Sequence, residues 1–458
     1  MRLVPLVAVL ASCQPAPPVA PAAHGVTGHL VLAPAAKVAG TRGPLFVTWL
    51  TVDEMKAFAT NNASMQLLRD VVTRAEVVPD VDARAGVTYT AHPGHGPAIV
   101  ILAVVDLSHR GIVGLFGAGD SLQGGSAPFA VTDTTTTAPP ITLTPSSRGR
   151  GAESCVGPAL ALERIDDPAV AGTVGNNTSR RACVLVPKSY ASHPERHYPV
   201  IYVFPGLAGD DQETLDDLDR GLEAIVIAVD TSTKTGSTYL VDSPTSGAWD
   251  SFFTTKLVPY IDAHYRTLPH REARALMGHS TGGFNAMSYG LRHPDLVGVI
   301  ASSSPDGLDF SVWLGSGHVP AWIRDFARVE HDLGGAGQFI SYAADWSPSA
   351  SGFDWPFDAS GAIVDHVMAR WIANTPGAWL RDPARVAAFK PLAGHIYLTV
   401  GDTDEFDLHA PTVAFSNELT AAGIANELVI THGGHGTHEH DQMKASFGFC
   451  ASKLEAAR

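Results

Sequence analysis

The stretch that decides the fold is Gly278-His279-Ser280-Thr281-Gly282-Gly283. It follows a short apolar run, residues 273–277, and leads into residues 284–291, whose composition is typical of a helix. A G-x-S-x-G motif between a strand and a helix predicts a nucleophile elbow, a turn so tight that its serine has a strained backbone. The glycines are needed because a Cβ would collide with neighbouring elements. Ser280 is therefore the candidate nucleophile, although the bare motif also arises by chance in a chain with 44 glycines.

A nucleophile elbow predicts an acid that follows a later strand. Residues 395–400 have the composition of such a strand, and Gly401-Asp402-Thr403-Asp404-Glu405 follows directly. Asp402 and Asp404 are both candidates for the acid. Either one also suits a simple turn, because aspartate is favoured where strands end.

The elbow also predicts a histidine after one more strand. The strand is residues 427–430, and the following loop, residues 431–440, contains four histidines. His435 is the preferred base because Gly433-Gly434 before it allow a close approach to the elbow. The spacing His435-x-x-His438-x-His440 also suits metal ligands, but no cysteine or carboxylate set completes a zinc signature. We therefore expect no metal and no cofactor.

Acyl transfer requires hydrogen-bond donors for the oxyanion that develops on the substrate. An apolar strand at residues 198–204 ends in the glycine-rich turn Pro205-Gly206-Leu207-Ala208-Gly209. We assign the two donors to the backbone N–H groups of Leu207 and of Thr281, the residue after the nucleophile. The alternative for the turn is an ordinary connection between a strand and a helix.

From Arg180 to Leu454, about three-fifths of the chain, the sequence resembles the esterase D or putative esterase family. This family includes feruloyl and acetylxylan esterases, S-formylglutathione hydrolases, enterochelin-type esterases and mycolyltransferases. The resemblance is carried by the elbow and by several shorter segments: Val184-Leu185-Val186-Pro187, Tyr198-Pro199-Val200-Ile201-Tyr202, Trp249-Asp250-Ser251-Phe252-Phe253, Leu257-Val258-Pro259-Tyr260-Ile261-Asp262, Tyr265-Arg266-Thr267 and Gly401-Asp402-Thr403-Asp404-Glu405-Phe406.

The resemblance implies an α/β-hydrolase fold and ester chemistry. In this family the acid lies in a G-x-x-D-E-F-like segment, which selects Asp404 rather than Asp402. The chain departs from the family where Pro205-Gly206 replaces the usual His-Gly. The backbone N–H of Leu207 is retained despite this change, so the oxyanion hole is expected to be altered in shape rather than lost.

Residues 176–458 are predicted to form the catalytic domain. Strand-like segments near residues 182, 199, 224, 274, 297, 395 and 427 alternate with helical ones, which predicts a mostly parallel sheet covered on both faces. The connection 303–391 is too long for a simple crossover and is rich in aromatic residues. We expect an insert in which at least half of these rings fill its own small core and the others line a substrate pocket.

Residues 26–145 have a different pattern. Short β-prone runs are separated by glycine, proline and aspartate, and residues 53–61 form one possible helix. This predicts a small antiparallel β-sandwich, Ig-like or transthyretin-like, as an accessory domain. Residues 146–175 are the expected linker.

Residues 1–25 are predicted to be a signal segment and a proline-rich tether. Leu10-Ala11-Ser12-Cys13 matches a bacterial lipobox, which predicts lipidation of Cys13 and anchoring at a membrane surface, in the periplasm or at the cell surface. The alternatives are an ordinary secretory signal and a cytosolic chain with an apolar start. Among the other cysteines, Cys155 and Cys183 are the simplest disulfide pair, but free buried thiols, Cys450 included, remain an equal alternative.

Composition limits the possible partners. At 458 residues the chain exceeds what a single core usually holds, so two domains are expected. Its formal net charge of −15, without a basic run, argues against nucleic-acid binding. The sequence therefore predicts an exported serine carboxylic ester hydrolase that acts on a small-molecule or carbohydrate-linked ester. Two alternatives are an acyltransferase that uses the same residues and a binding lipoprotein whose hydrolase domain is inert.

Overall fold

The computed structural model describes residues 25–34, 40–59, 71, 74–107, 121–145, 155, 157, 159–211, 221–314, 323–324, 327–328, 330–331, 337–404 and 406–456. The predicted lipobox with Cys13 lies outside these residues. Contacts divide the chain into two units, one of Met1–Gly151 with Asp325–Gly337 and one of Ala152–Arg324 with Gln338–Arg458. Within the described ranges, every helix is too short or too polar to cross a bilayer.

The first unit is built on a mostly antiparallel sheet. Its elements are β1 (Val26–Leu32), β2 (Arg42–Thr51), α1 (Val52–Ala59), β3 (Glu76–Asp82), β4 (Val87–Ala91), β5 (Gly96–Asp106), β6 (Ser121–Gly125), β7 (Phe129–Val131) and β8 (Ile141–Pro145). The strands pair in the order β3-β2-β5-β6-β8-β1-β4, with β7 also paired to β5. The pair β1–β8 is parallel.

One apolar core serves this sheet. Along β5, Ile99, Ile101, Ala103 and Val105 alternate into the core, as the two-residue period of a strand requires. Residues of both terminal strands, β3 and β4, share that core, so the sheet curls over on itself. The sequence analysis missed β6 and β7 because they are short and β6 ends in two glycines.

The second unit contains the mostly parallel sheet that the sequence predicted for residues 176–458. Its strands are β9 (Leu160–Asp166), β10 (Ser179–Leu185), β11 (Val200–Phe204), β12 (Ile225–Val229), β13 (Ser232–Thr233), β14 (Gly236–Ser237), β15 (Asp242–Ser243), β16 (Gly247–Ala248), β17 (Arg274–His279), β18 (Val299–Ser303), β19 (Pro348–Ser349), β20 (Gly352–Phe353), β21 (Ile396–Gly401) and β22 (Glu427–Thr431). The main sheet has the order β22-β21-β18-β17-β11-β12-β10-β9. The six strands from β22 to β12 are parallel, and β10 and β9 pair antiparallel.

Helices connect these strands. They are α2 (Trp249–Phe252), which continues through a π-helical turn at Phe253–Leu257 into α3 (Val258–His264), then α4 (Thr281–Arg292), α5 (Phe310–Trp313), α6 (Gln338–Trp346), α7 (Asp365–Ala373), α8 (Pro376–Trp379), α9 (Pro383–Phe389), α10 (His409–Ala421) and α11 (Glu439–Ala456). Short 3-10 turns occupy Ala83–Ala85, Pro168–Ala171, Arg271–Ala273 and Lys390–Leu392. The predicted fold class, an α/β hydrolase with a mostly parallel central sheet, is confirmed. The small antiparallel β-sandwich predicted for residues 26–145 stays a prediction.

The catalytic sheet begins earlier than predicted. Strand β9 lies within residues 146–175, which the sequence analysis treated as linker, and pairs along its length with β10. Its sequence, Leu-Ala-Leu-Glu-Arg-Ile-Asp, lacks the alternation that marks a strand with one buried face. The sequence pattern therefore gave no strand signal at this edge.

Aromatic residues of the long insert pack against one another and against the helix that follows the nucleophile. Trp346 of α6 stacks on Tyr342, with ring centroids 4.5 Å apart, and lies 5.6 Å from Phe284 of α4. The same cluster contains other described insert rings and one ring from outside the insert: Phe310, Phe339, Trp371 and Tyr239. The insert therefore shares a core with the elbow helix rather than forming a separate one.

A disulfide joins Cys155 to Cys183 in β10, and Cys450 is free and buried. The disulfide closes a loop with a sequence separation of 28 residues that contains β9. Such a cross-link stabilises the fold chiefly by reducing the conformational freedom of the unfolded chain.

Replacing both Cys155 and Cys183 with alanine is expected to lower the free energy of unfolding by about 3 kcal/mol, because the closed loop is lost. Urea denaturation with and without dithiothreitol measures this. Cys450→Ala is the matched control, since it removes a buried sulfur and keeps the cross-link. Reductant should destabilise the wild type and the control but not the double variant; a wild type that does not respond to reductant would contradict the assignment.

Candidate active site

Ser280 occupies a strained turn between β17 and α4. Its backbone lies in the left-handed region, with φ 57° and ψ −126°, and the residue is 8% exposed. A Cβ on Gly282 would lie 2.1 Å from the carbonyl oxygen of Phe204, and one on Gly278 would lie 2.5 Å from the carbonyl carbon of Gly282. Only glycine permits this approach, so the local geometry is the one the sequence motif predicts.

Asp404 and His435 form a buried pair. Strand β21 ends at Gly401 and β22 ends at Thr431, and these neighbouring parallel strands deliver both loops to the same edge of the sheet. The Nδ1 atom of His435 lies 2.8 Å from Oδ2 of Asp404, and both side chains are fully buried. The other oxygen of Asp404 accepts a hydrogen bond of 2.9 Å from the backbone N–H of Phe406.

His279 connects the elbow to the base. It immediately precedes Ser280, its Nε2–H donates to the carbonyl oxygen of His435 at 3.2 Å, and the two rings are 4.7 Å apart. Burial, together with the charge of His435, lowers the pKa of His279 to about 3. His279 is therefore neutral, and its contact with His435 joins the residue before Ser280 to the loop that follows β22.

The pKa of His435 is raised above its ordinary value. Burial of the ring opposes protonation, but the carboxylate of Asp404 and its hydrogen bond outweigh that effect. Glu439 and Asp306 contribute further negative charge. These carboxylates therefore make His435 the more basic of the two neighbouring histidines, as a proton acceptor requires.

Asp402 lies apart from this pair. Its Oδ2 is 2.8 Å from Nδ1 of His432, whose side chain is 95% exposed, and its Oδ1 accepts from the N–H of Gly433. The hydrogen bond from His432 and that from Gly433 lower the pKa of Asp402. Asp402 therefore shapes the turn between the two loops, whereas Asp404 reaches the buried histidine.

The predicted oxyanion donors lie in adjoining segments. Thr281 is the first residue of α4, where a backbone N–H has no acceptor within the helix. The turn 205–209 contains Ala208 in the left-handed region, and the carbonyl of Pro205 lies against Gly282. Within the described ranges, neither the N–H of Leu207 nor that of Thr281 donates to a protein acceptor. Both amides thus suit the role assigned to them.

The remaining loop histidines have other contacts. His438 donates from Nε2 to the carbonyl oxygen of His432 at 2.9 Å. In the parts of the chain that the structure describes, no group of three or more histidine, cysteine or acidic residues is arranged to hold a metal ion.

Sequence reasoning missed three residues near this site: His279, Glu439 and Asp306. His279 lies inside the elbow motif, where its position beside Ser280 is the only signal. Glu439 lies 3.7 Å from His279, at the start of α11. Asp306 follows β18 in Ser-Pro-Asp-Gly, a composition typical of a turn, and only the fold places it beside the elbow.

Comparison with known proteins identifies a family and relatives of the chain. The sequence model of the family described as Putative esterase matches residues 175–448. Two curated proteins from Mycobacterium tuberculosis, Esterase MT1326 of strain CDC 1551 / Oshkosh and Esterase Rv1288 of strain H37Rv, are each 31% identical over 308 residues. The match covers 61% of this chain and 56% of each relative, so the chain spans about half the length of these relatives.

Solved structures also align with the chain. A ferulic acid esterase is 20% identical, with a TM-score of 0.45 over 65% of this chain and 98% of its own. An S-formylglutathione hydrolase from Agrobacterium tumefaciens is 15% identical, with a TM-score of 0.43 over 64% of this chain and 95% of its own.

Asp404→Asn and Asp402→Asn are expected to differ sharply. Loss of the carboxylate at Asp404 leaves His435 in the wrong tautomer, and by analogy with other triad acids kcat should fall by about 10⁴. Asp402→Asn is the matched control, because the contacts of Asp402 with His432 and with the N–H of Gly433 lie apart from the buried Asp404–His435 pair. Steady-state kinetics with a small aryl ester, on variants shown to be folded by circular dichroism, gives the comparison. The opposite ranking would move the acid role to Asp402.

Proposed function

The chain belongs to the putative esterase family, and from that premise we propose that it is a serine carboxylic ester hydrolase. The observations that carry the proposal are the buried Asp404–His435 pair, in contact with His279, and the strained, glycine-flanked turn that holds Ser280 directly after His279. A hydroxyl on such a turn adds nothing to a core. The strain instead suits a nucleophile that must stand clear of the sheet.

The first half of the reaction forms an acyl enzyme. Ser280 Oγ attacks the ester carbonyl carbon while His435 Nε2 takes the hydroxyl proton. Asp404 holds the imidazole through Nδ1 and stabilises the imidazolium that results. The N–H groups of Leu207 and Thr281 donate to the oxyanion of the tetrahedral intermediate. That intermediate collapses when His435 returns the proton to the leaving alcohol.

The second half releases the acyl group. A water molecule attacks the acyl enzyme, His435 takes its proton, and the carboxylic acid departs as Ser280 recovers its hydrogen. A sugar hydroxyl in place of that water would give acyl transfer with the same residues. We propose hydrolysis of a small-molecule or carbohydrate-linked ester as the reaction, with acyl transfer as an outcome that product analysis distinguishes.

Ser280→Ala is expected to abolish ester turnover and leave the fold intact, because the Ala variant keeps the backbone of the turn and loses only the nucleophile. The assay uses p-nitrophenyl acetate and butyrate, followed by feruloyl esters and acetylated sugars. Ser288→Ala is the matched control. Ser288 is buried on the same helix, and within the described ranges its hydroxyl hydrogen-bonds only to the carbonyl oxygen of Asn285, at 3.5 Å.

A fluorophosphonate probe gives a second readout, because it reacts covalently with activated serines. It should label the wild type and Ser288→Ala but not Ser280→Ala. Near-wild-type turnover in Ser280→Ala would refute the serine mechanism. A wild type that neither turns over esters nor reacts with the probe would favour the alternative of an inert binding protein.

We further propose that the protein is exported and held at a membrane surface by lipid attached to Cys13. The motif Leu10-Ala11-Ser12-Cys13 supports lipidation. The disulfide between Cys155 and Cys183 supports an oxidising compartment, because such bonds are rare in the cytosol. Attachment of more than one acyl chain would give stable anchoring.

Cys13→Ala is expected to move the protein from the membrane fraction to the soluble exported fraction. Labelling with a fatty-acid precursor and partition into detergent measure this. Cys450→Ala, which changes a free buried thiol, should behave as the wild type. A wild type that incorporates no fatty acid and partitions into the aqueous phase would leave simple secretion as the explanation.

A further inference from the structure

Asp306 is a buried carboxylic acid whose hydrogen bonds the proposed mechanism does not use. It follows β18, is 3% exposed, and within the described ranges has no arginine or lysine among its hydrogen-bond partners. A single oxygen, Oδ2, accepts four hydrogen bonds: from Tyr239 Oη at 2.9 Å, Thr281 Oγ1 at 2.9 Å, Gln338 Nε2 at 2.7 Å and Tyr342 Oη at 3.1 Å. Burying a carboxyl group is costly, so such a concentration of donors needs an explanation.

One branch of this network reaches the elbow. The hydroxyl of Thr281 donates to Asp306, and the backbone N–H of Asp306 lies 3.3 Å from the carbonyl oxygen of Ser280. Asp306 therefore contacts both the nucleophilic residue and the next one, whose amide is a predicted oxyanion donor. These two hydrogen bonds hold the start of α4 against Asp306.

A second branch reaches the other predicted donor. Tyr239, which donates to Asp306, lies two residues after Ser237. The hydroxyl oxygen of Ser237 accepts a hydrogen bond of 2.7 Å from the N–H of Ala208. Ala208 is the left-handed residue directly after Leu207. The segment 237–239 therefore ties the turn 205–209 to the carboxyl group of Asp306.

We propose that Asp306 is a positioning residue for ester hydrolysis: by holding the hydroxyl groups of Thr281 and Tyr239, it sets the spacing of the two loops that carry the oxyanion donors. The inference rests on the proposed function. It adds a residue outside the predicted triad and explains why one oxygen gathers donors from the elbow, from the segment before α2 and from the insert helix α6. A small displacement of an oxyanion donor is sufficient to slow acyl transfer.

The experiment distinguishes a positioning role of Asp306 in catalysis from a role in stability alone. Asp306→Ala removes the acceptor, so kcat should fall about 10- to 100-fold with KM within about twofold, a smaller loss than the 10²- to 10³-fold caused by removal of a donor itself. Asp306→Asn should keep kcat within about threefold, because its amide oxygen can accept the same bonds. Within the described ranges, Oδ1 of Asp306 makes no hydrogen bond that the amide nitrogen would disturb.

Asp309→Asn is the matched control. Asp309 lies in the same segment, is fully buried, caps α5 through the N–H of Ser311 at 2.8 Å and pairs with Arg381. Its substitution should change stability and leave kcat unchanged, because no hydrogen bond in the described ranges joins it to the elbow. A fall in kcat for Asp309→Asn equal to that of Asp306→Ala would overturn the proposal.

A trifluoromethyl ketone inhibitor provides a readout specific to the oxyanion hole. Ser280 Oγ adds to its carbonyl carbon, His435 takes the proton, and the ketone oxygen becomes an oxyanion bound by the hole. The inhibition constant should rise in Asp306→Ala by the same factor by which kcat falls, while KM stays constant. An unchanged inhibition constant, or an Asp306→Ala variant with wild-type kcat, would overturn the proposal.

If Asp306→Ala fails to fold, Thr281→Val and Tyr239→Phe test the same network one bond at a time. Each should lower kcat several-fold, and their combination should cost less than the product of the two, because both act through one carboxyl group. Wild-type kcat in both would refute the inference while the esterase function stands. Absence of ester turnover in the wild type would refute both the proposed function and this inference.

Discussion

Backbone packs directly on backbone where the end of β11 meets the start of α4. The carbonyl oxygen of Phe204 occupies the space that a side chain on Gly282 would need. This contact makes the elbow possible, because the turn can hold Ser280 at a positive φ only if the helix starts at once and close to the neighbouring strand. The same contact places the turn 205–209 beside the nucleophile. One steric constraint thus fixes both the serine and the turn that carries the predicted oxyanion donor Leu207.

Parallel pairing assembles the rest of the site. Strands β17, β18, β21 and β22 point the same way, so their carboxyl ends deliver Ser280, Asp306, Asp404 and His435 to one edge although the residues span 155 positions of sequence. Burial and nearby charges then give the titratable groups of the site different pKa values. His279, deprived of solvent and close to a second histidine, stays neutral, whereas His435 gains basicity from the carboxylates around it. The two neighbouring imidazoles therefore differ in pKa, and that of His435 is the higher.

Local motifs and strand order were sufficient to predict the fold class and to single out Ser280, Asp404 and His435 as candidates. Each lies just after a strand with a clear apolar pattern, so short-range information suffices. Strand β9 was missed because its pattern lacks alternation. The contacts of Asp306 join residues 25, 32, 36 and 67 positions away along the chain, a set with no sequence signature. Asp402 and Asp404 were separated only by resemblance to a family, and the structure now adds a different histidine partner for each.

The disulfide between Cys155 and Cys183 also determines which strand carries the force when the chain is pulled from its N-terminal side. Strand β9 is an edge strand, bonded on one side only, and such strands peel away one hydrogen bond at a time when pulled from an end. With the disulfide intact, tension arriving along the chain from the N-terminal side passes through the sulfur atoms into β10, inside the sheet. Strand β9 lies in the closed loop and carries none of that force. Until the bond is reduced, a pull on the chain from that side therefore loads β10 rather than β9.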